Sequence, residues 1–234
     1  MPLFVILTLF PDAVAAYGRE SILGLAQEKG LIRILPVDLR DFTRDRHRTV
    51  DDRPFGGGPG MLLKPEPIVE AVEWLEAKYG PFRKFALCPS GPVFRQSTAR
   101  ALAGEERLLF LCGRYEGFDE RVRRLVAFED LSLGDFVLSG GELPALAITE
   151  AVARLIPGVL GHEESPLRES FGPDGDEDRL DCPHYTRPRE WRGLEVPEVL
   201  LNGDHSAIEQ WRQRAAREKT ALRRPGATPS NSTP

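Results

Sequence analysis

Apolar strand-like segments alternate with helix-like segments along this chain, and this alternation constrains the fold more than any other feature. Apolar runs at 3–10 and 31–37 flank a helix predicted over 14–29. Three further short strands are predicted, at 85–88, 108–112 and 128–133. Strands that alternate with helices need crossover connections, which produce a mostly parallel sheet covered on both faces. The sequence therefore predicts an α/β fold.

Apolar spacing also predicts the helices between the later strands. They are expected at 65–79, 96–102, 118–126 and 143–156. Gly30 and Gly80 should end the helices that precede them, because glycine readily adopts the left-handed conformation found at helix C-termini. No apolar run approaches the roughly 20 residues that span a bilayer. No basic segment precedes the first apolar run, so neither a signal peptide nor a membrane partner is expected.

The composition is that of a folded globular protein. Hydrophobic residues make up 41% of the chain and charged residues 29%, and the net charge of −5 gives no global nucleic-acid signal. The three cysteines, Cys88, Cys112 and Cys182, form no CxxC pair and are odd in number. This pattern favours a reducing, cytoplasmic location and predicts that all three are small buried hydrophobic residues.

The amino-acid composition of the chain changes after Gly161. Residues 162–190 are polar and rich in acid and proline, which predicts a linker or flexible loop. A small helical unit follows, in which Ser206 and Glu209 have the spacing of a capping box. Its expected apolar stripe consists of Ile208, Trp211, Ala215 and Leu222.

Three successive predicted strands end in glycine-containing loops, at 89–91, 113–117 and 132–134, and the last loop continues to the glycine pair at 140–141. The carboxyl ends of parallel strands lie on one edge of the sheet, where ligands bind. Glycine allows backbone N–H and C=O groups to approach a ligand closely. The three loops therefore predict a ligand cradle, although glycine also ends strands for purely structural reasons.

The sequence also narrows the class of ligand. No GxGxxG follows the first strand and no GxxxxGK[ST] occurs anywhere, which disfavours dinucleotide and nucleoside triphosphate sites. Arg114 is the only basic residue within the three glycine loops. The cradle is therefore expected to hold an adenosine-like ligand with little negative charge.

Two basic clusters occur in this acidic protein. The first consists of arginines within 44–53, which precede a glycine-rich segment at 54–61. The second lies on the C-terminal helix, where one face is predicted to carry Arg214, Arg217 and Arg224. Next to that face are Arg212, Lys219 and Arg223. Each cluster alone could be a solvated surface. Together they favour a nucleic-acid partner.

Four long, ordered motifs resemble those of the bacterial tRNA (guanine-N1)-methyltransferase family. They are 46–61, 112–117, 134–144 and 180–188, and the resemblance runs from Leu9 to Pro225. It implies a sheet with a deep trefoil knot of the SPOUT type and a small C-terminal helical domain. It also implies methyl transfer from S-adenosylmethionine to N1 of the guanosine at tRNA position 37, just 3′ of the anticodon.

Under this resemblance the chain has four parts. Residues 1–160 form the knotted S-adenosylmethionine-binding catalytic domain, and 161–180 form a flexible interdomain linker. Residues 181–226 form a helical tRNA-binding domain, and 227–234 a disordered tail. The expected partners are the tRNA anticodon stem-loop and a second copy of the chain, in a homodimer whose active site is shared between subunits.

The resemblance assigns binding residues position by position. The methyl donor is expected on Leu87, Pro89, Gly91, Gly113, Tyr115, Gly117, Ser132, Leu133, Gly134, Leu138, Gly140, Gly141 and Pro144. Contacts with tRNA are expected from Arg48, Asp51, Arg53, Arg214, Arg217 and Arg224. Ala86 and Cys88 depart from the family pattern, in which an aromatic residue and a serine are common.

Methylation of guanine N1 requires a base, because N1 carries a proton at neutral pH, and a cation would stabilise the charge that builds on O6. The resemblance maps the assisting arginine onto Arg154 and the base onto Glu169, where the family has aspartate. Asp181 is the alternative base. Cys182 and His184 alone do not make a metal site, so none is assigned. The family's magnesium dependence points to carboxylates such as Glu116 as candidates.

Two alternative functions stay open on sequence grounds. One is a related knotted enzyme that methylates an RNA ribose 2′-hydroxyl. The other is a non-catalytic RNA-binding protein with a vestigial cradle, which is disfavoured because the cradle, Arg154 and a loop carboxylate occur together.

Overall fold

The computed structural model describes residues 1–161, 169–172 and 178–225. The chain divides into two compact units, Met1–Gly161 and His162–Pro234. Within the described ranges, no helix is long and apolar enough to cross a membrane. The predicted tail at 227–234 lies outside the described residues, and so does most of the predicted linker at 161–180.

The first unit is built on a five-stranded sheet in which every pairing is parallel, in the order β2-β1-β6-β5-β7. The strands are β1 (Leu3–Thr8), β2 (Arg33–Asp38), β5 (Arg83–Leu87), β6 (Arg107–Cys112) and β7 (Glu129–Leu131). A separate two-stranded antiparallel hairpin pairs β3 (Asp51–Asp52) with β4 (Leu62–Leu63). The predicted α/β class and mostly parallel sheet are confirmed.

Helices cover both faces of this sheet. They are α1 (Pro11–Gly18), α2 (Ser21–Glu28), α3 (Pro65–Tyr79), α4 (Gln96–Ala103), α5 (Arg121–Leu125) and α6 (Glu142–Ala153), with a 3₁₀ turn at Leu39–Phe42. Alternate residues of β1 enter two separate hydrophobic cores. Phe4 and Ile6 pack into one core, and Leu3, Val5 and Leu7 pack into the other. A strand buried on both faces has no polar alternation, which explains the continuous apolar run in the sequence.

The single helix predicted over 14–29 is wrong, because the chain breaks between α1 and α2. Glu20 is extended and Ser21 has a φ of 48°. The turn brings the Arg19 carbonyl against Gly24, where a Cβ would lie 2.1 Å from that oxygen. The predicted ends of α2 and α3 are confirmed: Gly30 and Gly80 follow them with φ values of 68° and 87°.

The described part of the second unit contains one hairpin and one long helix. The hairpin pairs β8 (Glu190–Trp191) with β9 (Leu194–Glu195), and was not predicted because each strand is only two residues long. A 3₁₀ turn at Glu198–Leu200 precedes α7 (His205–Arg223). Among the described residues of this unit, the buried hydrophobic side chains are Cys182 and Ala216.

The predicted start of the C-terminal helix is wrong. Asp204 is the N-cap, and its carboxylate accepts hydrogen bonds from the backbone N–H groups of Ser206 and Ala207 at 3.0 and 3.1 Å. Ser206 therefore lies inside the helix and cannot form a capping box with Glu209. The stripe also ends earlier than predicted, because Leu222 is 77% exposed.

Candidate functional site

The three glycine loops meet because their strands are neighbours. Strand β5 lies between β6 and β7, and Leu87 at its end pairs with Cys112 on one side and Leu131 on the other. All three strands are parallel, so the chain leaves each of them at the same edge of the sheet. The prediction that these loops converge is confirmed.

Backbone hydrogen bonds join the loops to one another. The N–H of Cys88 donates to the Leu131 carbonyl at 3.1 Å, and that of Phe94 donates to the Ser132 carbonyl at 2.7 Å. On the other side, the Gly141 N–H donates to the Gly113 carbonyl at 3.1 Å. The loop after β5 is therefore tied to the loop after β7, and the loop after β6 is tied to the start of α6.

The loops enclose a cavity of about 460 Å³, within the range of roughly 300–1,000 Å³ that is typical of small-molecule sites. Twelve of the thirteen residues predicted to contact the methyl donor line it: Leu87, Pro89, Gly113, Tyr115, Gly117, Ser132, Leu133, Gly134, Leu138, Gly140, Gly141 and Pro144. Gly91 does not line it. Much of this wall is backbone, since five of the twelve residues are glycine.

Two of the glycines are required by packing. A Cβ on Gly91 would lie 2.5 Å from the backbone nitrogen of Leu131, and one on Gly141 would lie 2.6 Å from the Cα of Cys112. Neither neighbour can move without shifting a strand of the sheet. Gly91 thus allows the loop after β5 to pack on β7, and acts on the cavity through its neighbours.

A buried polar network supports the cavity wall, and sequence reasoning missed it. Glu142, 5% exposed, accepts a hydrogen bond of 2.7 Å from the hydroxyl of Thr8 and ion-pairs with Arg114 at 2.8 Å. Arg114 also donates to the Ser139 carbonyl and lies over the ring of Phe10. The network joins β1, the loop after β6 and α6, which are far apart in sequence.

The charges around the cavity suit a ligand that is not strongly anionic. Both guanidinium groups in its wall are engaged: Arg114 with Glu142, and Arg123 with Asp130 and Glu120. Glu116, also in the wall, is exposed. The site therefore offers carboxylates to a cation and no uncommitted arginine to a polyphosphate.

The cysteines behave differently from one another. Cys88 lines the cavity, with its Sγ 3.3 Å from the hydroxyl of Ser90, so its predicted full burial is wrong. Cys112 and Cys182 are buried as predicted, and burial raises the pKa of each thiol. No disulfide links the three.

The arginine- and glycine-rich segment contacts the cavity loops directly. Gly60 packs against the Glu116 side chain, where a Cβ would lie 2.6 Å from Cγ. The Leu63 N–H donates to the Gly117 carbonyl at 2.9 Å, and the Glu116 N–H donates to the Met61 carbonyl at 3.1 Å. Two motifs that the sequence presented as separate thus form one surface.

The predicted tRNA contacts of this segment differ in their surroundings. Asp51 lies in β3 and is partly buried, whereas Arg53 is exposed beyond it. Arg48, with a φ of 54°, ion-pairs with Asp41. Arg53 is therefore better placed than Arg48 to meet an external phosphate.

The predicted catalytic residues fall in both units. Arg154 follows α6 in the first unit, whereas Glu169 and Asp181 belong to the second. The backbone N–H of Asp181 donates to the hydroxyl of Ser170, adjacent to Glu169, at 3.0 Å. The two candidate bases therefore lie on segments that contact each other.

Asp181 is held by several groups. Its carboxylate bonds to the His184 ring at 2.8 Å and accepts from the Cys182 N–H at 2.7 Å. Burial raises the pKa of the carboxyl, but these hydrogen bonds outweigh burial and hold the pKa of Asp181 below its usual value. Ligand atoms of Asp181, Cys182 and His184 lie within 4.8 Å of one another, so the acid supplies the third potential metal ligand that the sequence left unassigned.

Arg214, Arg217 and Arg224 were predicted to share one face of the C-terminal helix, and this prediction is wrong for Arg224. Arg214 and Arg217 are exposed on α7. Arg224 lies beyond the last helical residue, ion-pairs with Asp178 at 2.5 Å, and has its guanidinium over the ring of Phe171. Its charge is therefore partly committed within the unit.

Comparison with known proteins gives consistent matches over nearly the whole chain. Residues 2–229 match the family described as tRNA (Guanine-1)-methyltransferase TrmD. A tRNA (guanine-N(1)-)-methyltransferase from Pelotomaculum thermopropionicum is 50% identical over 94% of this chain and 87% of that protein, and one from Bacillus subtilis is 49% identical over 94% and 89%. The crystal structure of tRNA (m1G37) methyltransferase from Aquifex aeolicus superposes with a TM-score of 0.78, at 42% identity, covering 96% of this chain and 93% of that one.

Proposed function

This chain belongs to the tRNA (guanine-1)-methyltransferase family of enzymes, and we propose that it transfers a methyl group from S-adenosylmethionine to N1 of the guanosine at tRNA position 37. The observation that carries the proposal is the single cavity lined by twelve of the residues matched to the methyl-donor site. A member of the family that had lost its activity would not need to keep all three loops in this arrangement.

The residues of the cavity fit S-adenosylmethionine chemically. The donor's sulfonium is a cation, which suits a wall that contains the exposed Glu116 carboxylate. Its adenosine carries no phosphate, which suits a wall whose arginines, Arg114 and Arg123, are already paired with carboxylates. Backbone groups of Gly113, Gly134 and Gly140 would bind the adenine and ribose edges. When bound, the donor supplies an electrophilic methyl group; the chain's own residues hold and orient it.

The remaining chemistry is proton removal from guanine N1. We assign Glu169 as the base and Arg154 as the cation that stabilises charge on O6. Asp181 is the weaker candidate, because His184 and the Cys182 N–H already occupy its carboxylate and its pKa is lowered. A base with a depressed pKa accepts a proton poorly. The backbone N–H of Asp181, and not its carboxylate, donates to the Ser170 hydroxyl beside Glu169.

The proposal extends to assembly and location. Exposed apolar side chains border the cavity, with Val137 83% and Leu143 67% exposed, and we propose that a second copy of the chain covers them in a homodimer with a shared active site. Arg53, Arg214 and Arg217 would bind the tRNA anticodon stem-loop, in the cytoplasm where tRNA is modified. The trefoil knot and a magnesium ion at carboxylates such as Glu116 remain predictions from the resemblance.

Methyl transfer to defined transcripts tests the function. Purified protein with radiolabelled S-adenosylmethionine should methylate a tRNA transcript with guanosine at position 37 and leave an adenosine-37 transcript unlabelled. Mass spectrometry of the nucleosides should identify 1-methylguanosine. A ribose-methylated product would instead support a 2′-O-methyltransferase. Calorimetry that detected no donor binding would favour a non-catalytic RNA-binding protein.

Substitution of the candidate bases tests the mechanism. Glu169→Gln should lower single-turnover methyl transfer by about a hundredfold or more, with donor affinity unchanged. Asp181→Asn removes the carboxylate charge, keeps the backbone N–H that bonds to Ser170, and should have a smaller effect. Glu198→Gln, an exposed acid in the same unit, is the control and should be neutral. Near-normal turnover of Glu169→Gln would remove it from the role of base.

A further inference from the structure

The β8–β9 hairpin has two faces of opposite character. Pairing places Trp191 opposite Leu194 and Glu190 opposite Glu195, and a hydrogen bond from the Val196 N–H to the Arg189 carbonyl extends the ladder by one pair. Because side chains alternate along a strand, Arg189, Trp191 and Leu194 share one face. Both glutamates lie on the other. We call the first the hairpin face: Arg189, Trp191, Arg192 and Leu194.

The hairpin face is exposed and rigidly presented. Trp191 is 63% and Leu194 75% exposed. The connecting residues Arg192 and Gly193 have φ values of 51° and 77°, the two positive values of a type I′ turn. A two-residue turn of this type fixes the strand register and hence the position of the indole. An aromatic side chain held this way loses little conformational entropy when it binds a partner.

A cation completes the surface. The guanidinium of Arg192 lies 5.3 Å from the centre of the Trp191 ring, in cation–π geometry. It covers one side of the ring, so a planar ligand would stack on the opposite side, with a positive charge close by. Aromatic rings combined with arginine are the elements by which proteins bind unpaired nucleobases.

Charge favours RNA over an apolar protein partner. The hairpin segment 187–195 contains three arginines against two glutamates, in a chain whose net charge is −5. On the hairpin the two acids face away from the indole, and Glu190 is directly opposite Glu195 although like charges in that position are destabilising. The hairpin face is thus kept free of negative charge, as a phosphate backbone requires.

We propose that Trp191 and Arg192 form a base-stacking subsite for an unpaired nucleotide of the RNA substrate, with Arg189 meeting its phosphate. The proposal rests on the proposed function, since it takes the RNA to be the tRNA that the enzyme methylates. It adds a contact that neither the three glycine loops nor the helix arginines supply.

Tryptophan fluorescence provides the first test. The chain has three tryptophans, so the double variant W74F/W211F leaves Trp191 as the only one. Titration with an anticodon stem-loop transcript should quench its emission, because a stacked base quenches indole fluorescence. Emission that instead changed on dilution of the protein without RNA would identify the hairpin face as an interface between copies of the chain and overturn the inference.

Affinity measurements provide the second test. Trp191→Ala should weaken stem-loop binding roughly 5- to 150-fold, and Trp191→Phe should restore most of it, because a phenyl ring also stacks. Arg192→Asn keeps a residue that tolerates the type I′ turn and removes the charge, so the slope of log affinity against log salt should fall by about one. Circular dichroism checks that each variant is folded.

Trp74→Ala is the matched control, because Trp74 is also exposed (46%) and has the Lys78 ammonium 4.7 Å above its ring, but belongs to the first unit. It should bind RNA as the unaltered protein does. Normal RNA binding by Trp191→Ala, with unquenched Trp191 fluorescence, would overturn the stacking subsite and leave the proposed function intact. If the unaltered protein did not bind tRNA at all, the proposed function itself would fail.

Discussion

The two units of the chain achieve order in different ways. The first unit buries hydrophobic residues on both faces of its sheet and adds the Arg114–Glu142 ion pair at the cavity wall. The described part of the second unit buries only Cys182 and Ala216 among its hydrophobic side chains, and relies on an N-cap, a tight turn and hydrogen bonds around Asp181. The comparison indicates that the cavity of the first unit is built from packing, whereas the hairpin and helix of the second unit are held by local interactions.

The largest expected effect lies in the first unit. Glu142→Gln removes the charge that neutralises Arg114, and breaking a buried ion pair on one side costs about 3–5 kcal/mol. Since the Arg114 side chain is 26% exposed, we expect the lower end, about 3 kcal/mol, in urea denaturation. Donor binding should weaken as well. Glu129→Gln, which breaks the more exposed Arg83 pair, is the control and should cost at most about 1 kcal/mol.

An equal loss in the two variants would mean that burial does not distinguish these ion pairs. The contrast between a packed first unit and a locally held second unit would then lose its main support.

Gly141→Ala should have the next largest effect. Its Cβ would lie 2.6 Å from the Cα of Cys112, so the start of α6 must move away from β6. We expect a loss of about 1–3 kcal/mol, the usual cost of overpacking, together with weaker donor binding in calorimetry. Gly104→Ala, whose Cβ would have no atom nearer than 4.0 Å, is the control. Unchanged donor affinity in Gly141→Ala would show that the cavity wall is more tolerant than its packing implies.

A smaller effect is expected from the helix cap of the second unit. Asp204→Ala removes the acceptor for two N–H groups at the start of α7 and should cost about 0.5–2 kcal/mol. Hydrogen exchange should show faster opening of the α7 amides while those of β1 are unaffected. Asp52→Ala, an exposed acid of the first unit, is the control. Equal acceleration in β1 would show that the units open together.

Acid should destabilise the second unit slightly. The pKa of Asp181 is lowered in the folded protein, so its ionised carboxylate stabilises the fold. This contribution is fully present above the pKa that Asp181 has in the unfolded chain, and it is lost as the pH falls through the pKa of Asp181 in the folded protein. The α7 amides should therefore exchange faster on acidification, and Asp181→Asn should weaken that dependence. An identical pH profile in the variant would assign the acid sensitivity to other groups.

Much of the fold could be predicted because its signals are local. The spacing of apolar residues within 65–79 predicted both ends of α3 correctly. Short apolar runs predicted the positions of all five strands of the main sheet. The break between α1 and α2 was not predicted, although Gly18 ends α1, because a single glycine within apolar helical spacing does not by itself end a helix. The hairpin at 190–195 was missed because two-residue strands carry no periodicity.

The sequence by itself determined that three successive strands end in glycine loops, and it carries a family resemblance that implies a methyl donor. Those features depend on residue type and order, which local chemistry can interpret. Only the tertiary structure decided that Thr8, Arg114 and Glu142 form one buried network, that Gly60 lies against Glu116, and that Trp191 faces away from two glutamates. These contacts join residues distant in sequence, or depend on strand register, and neither is fixed until the chain has folded.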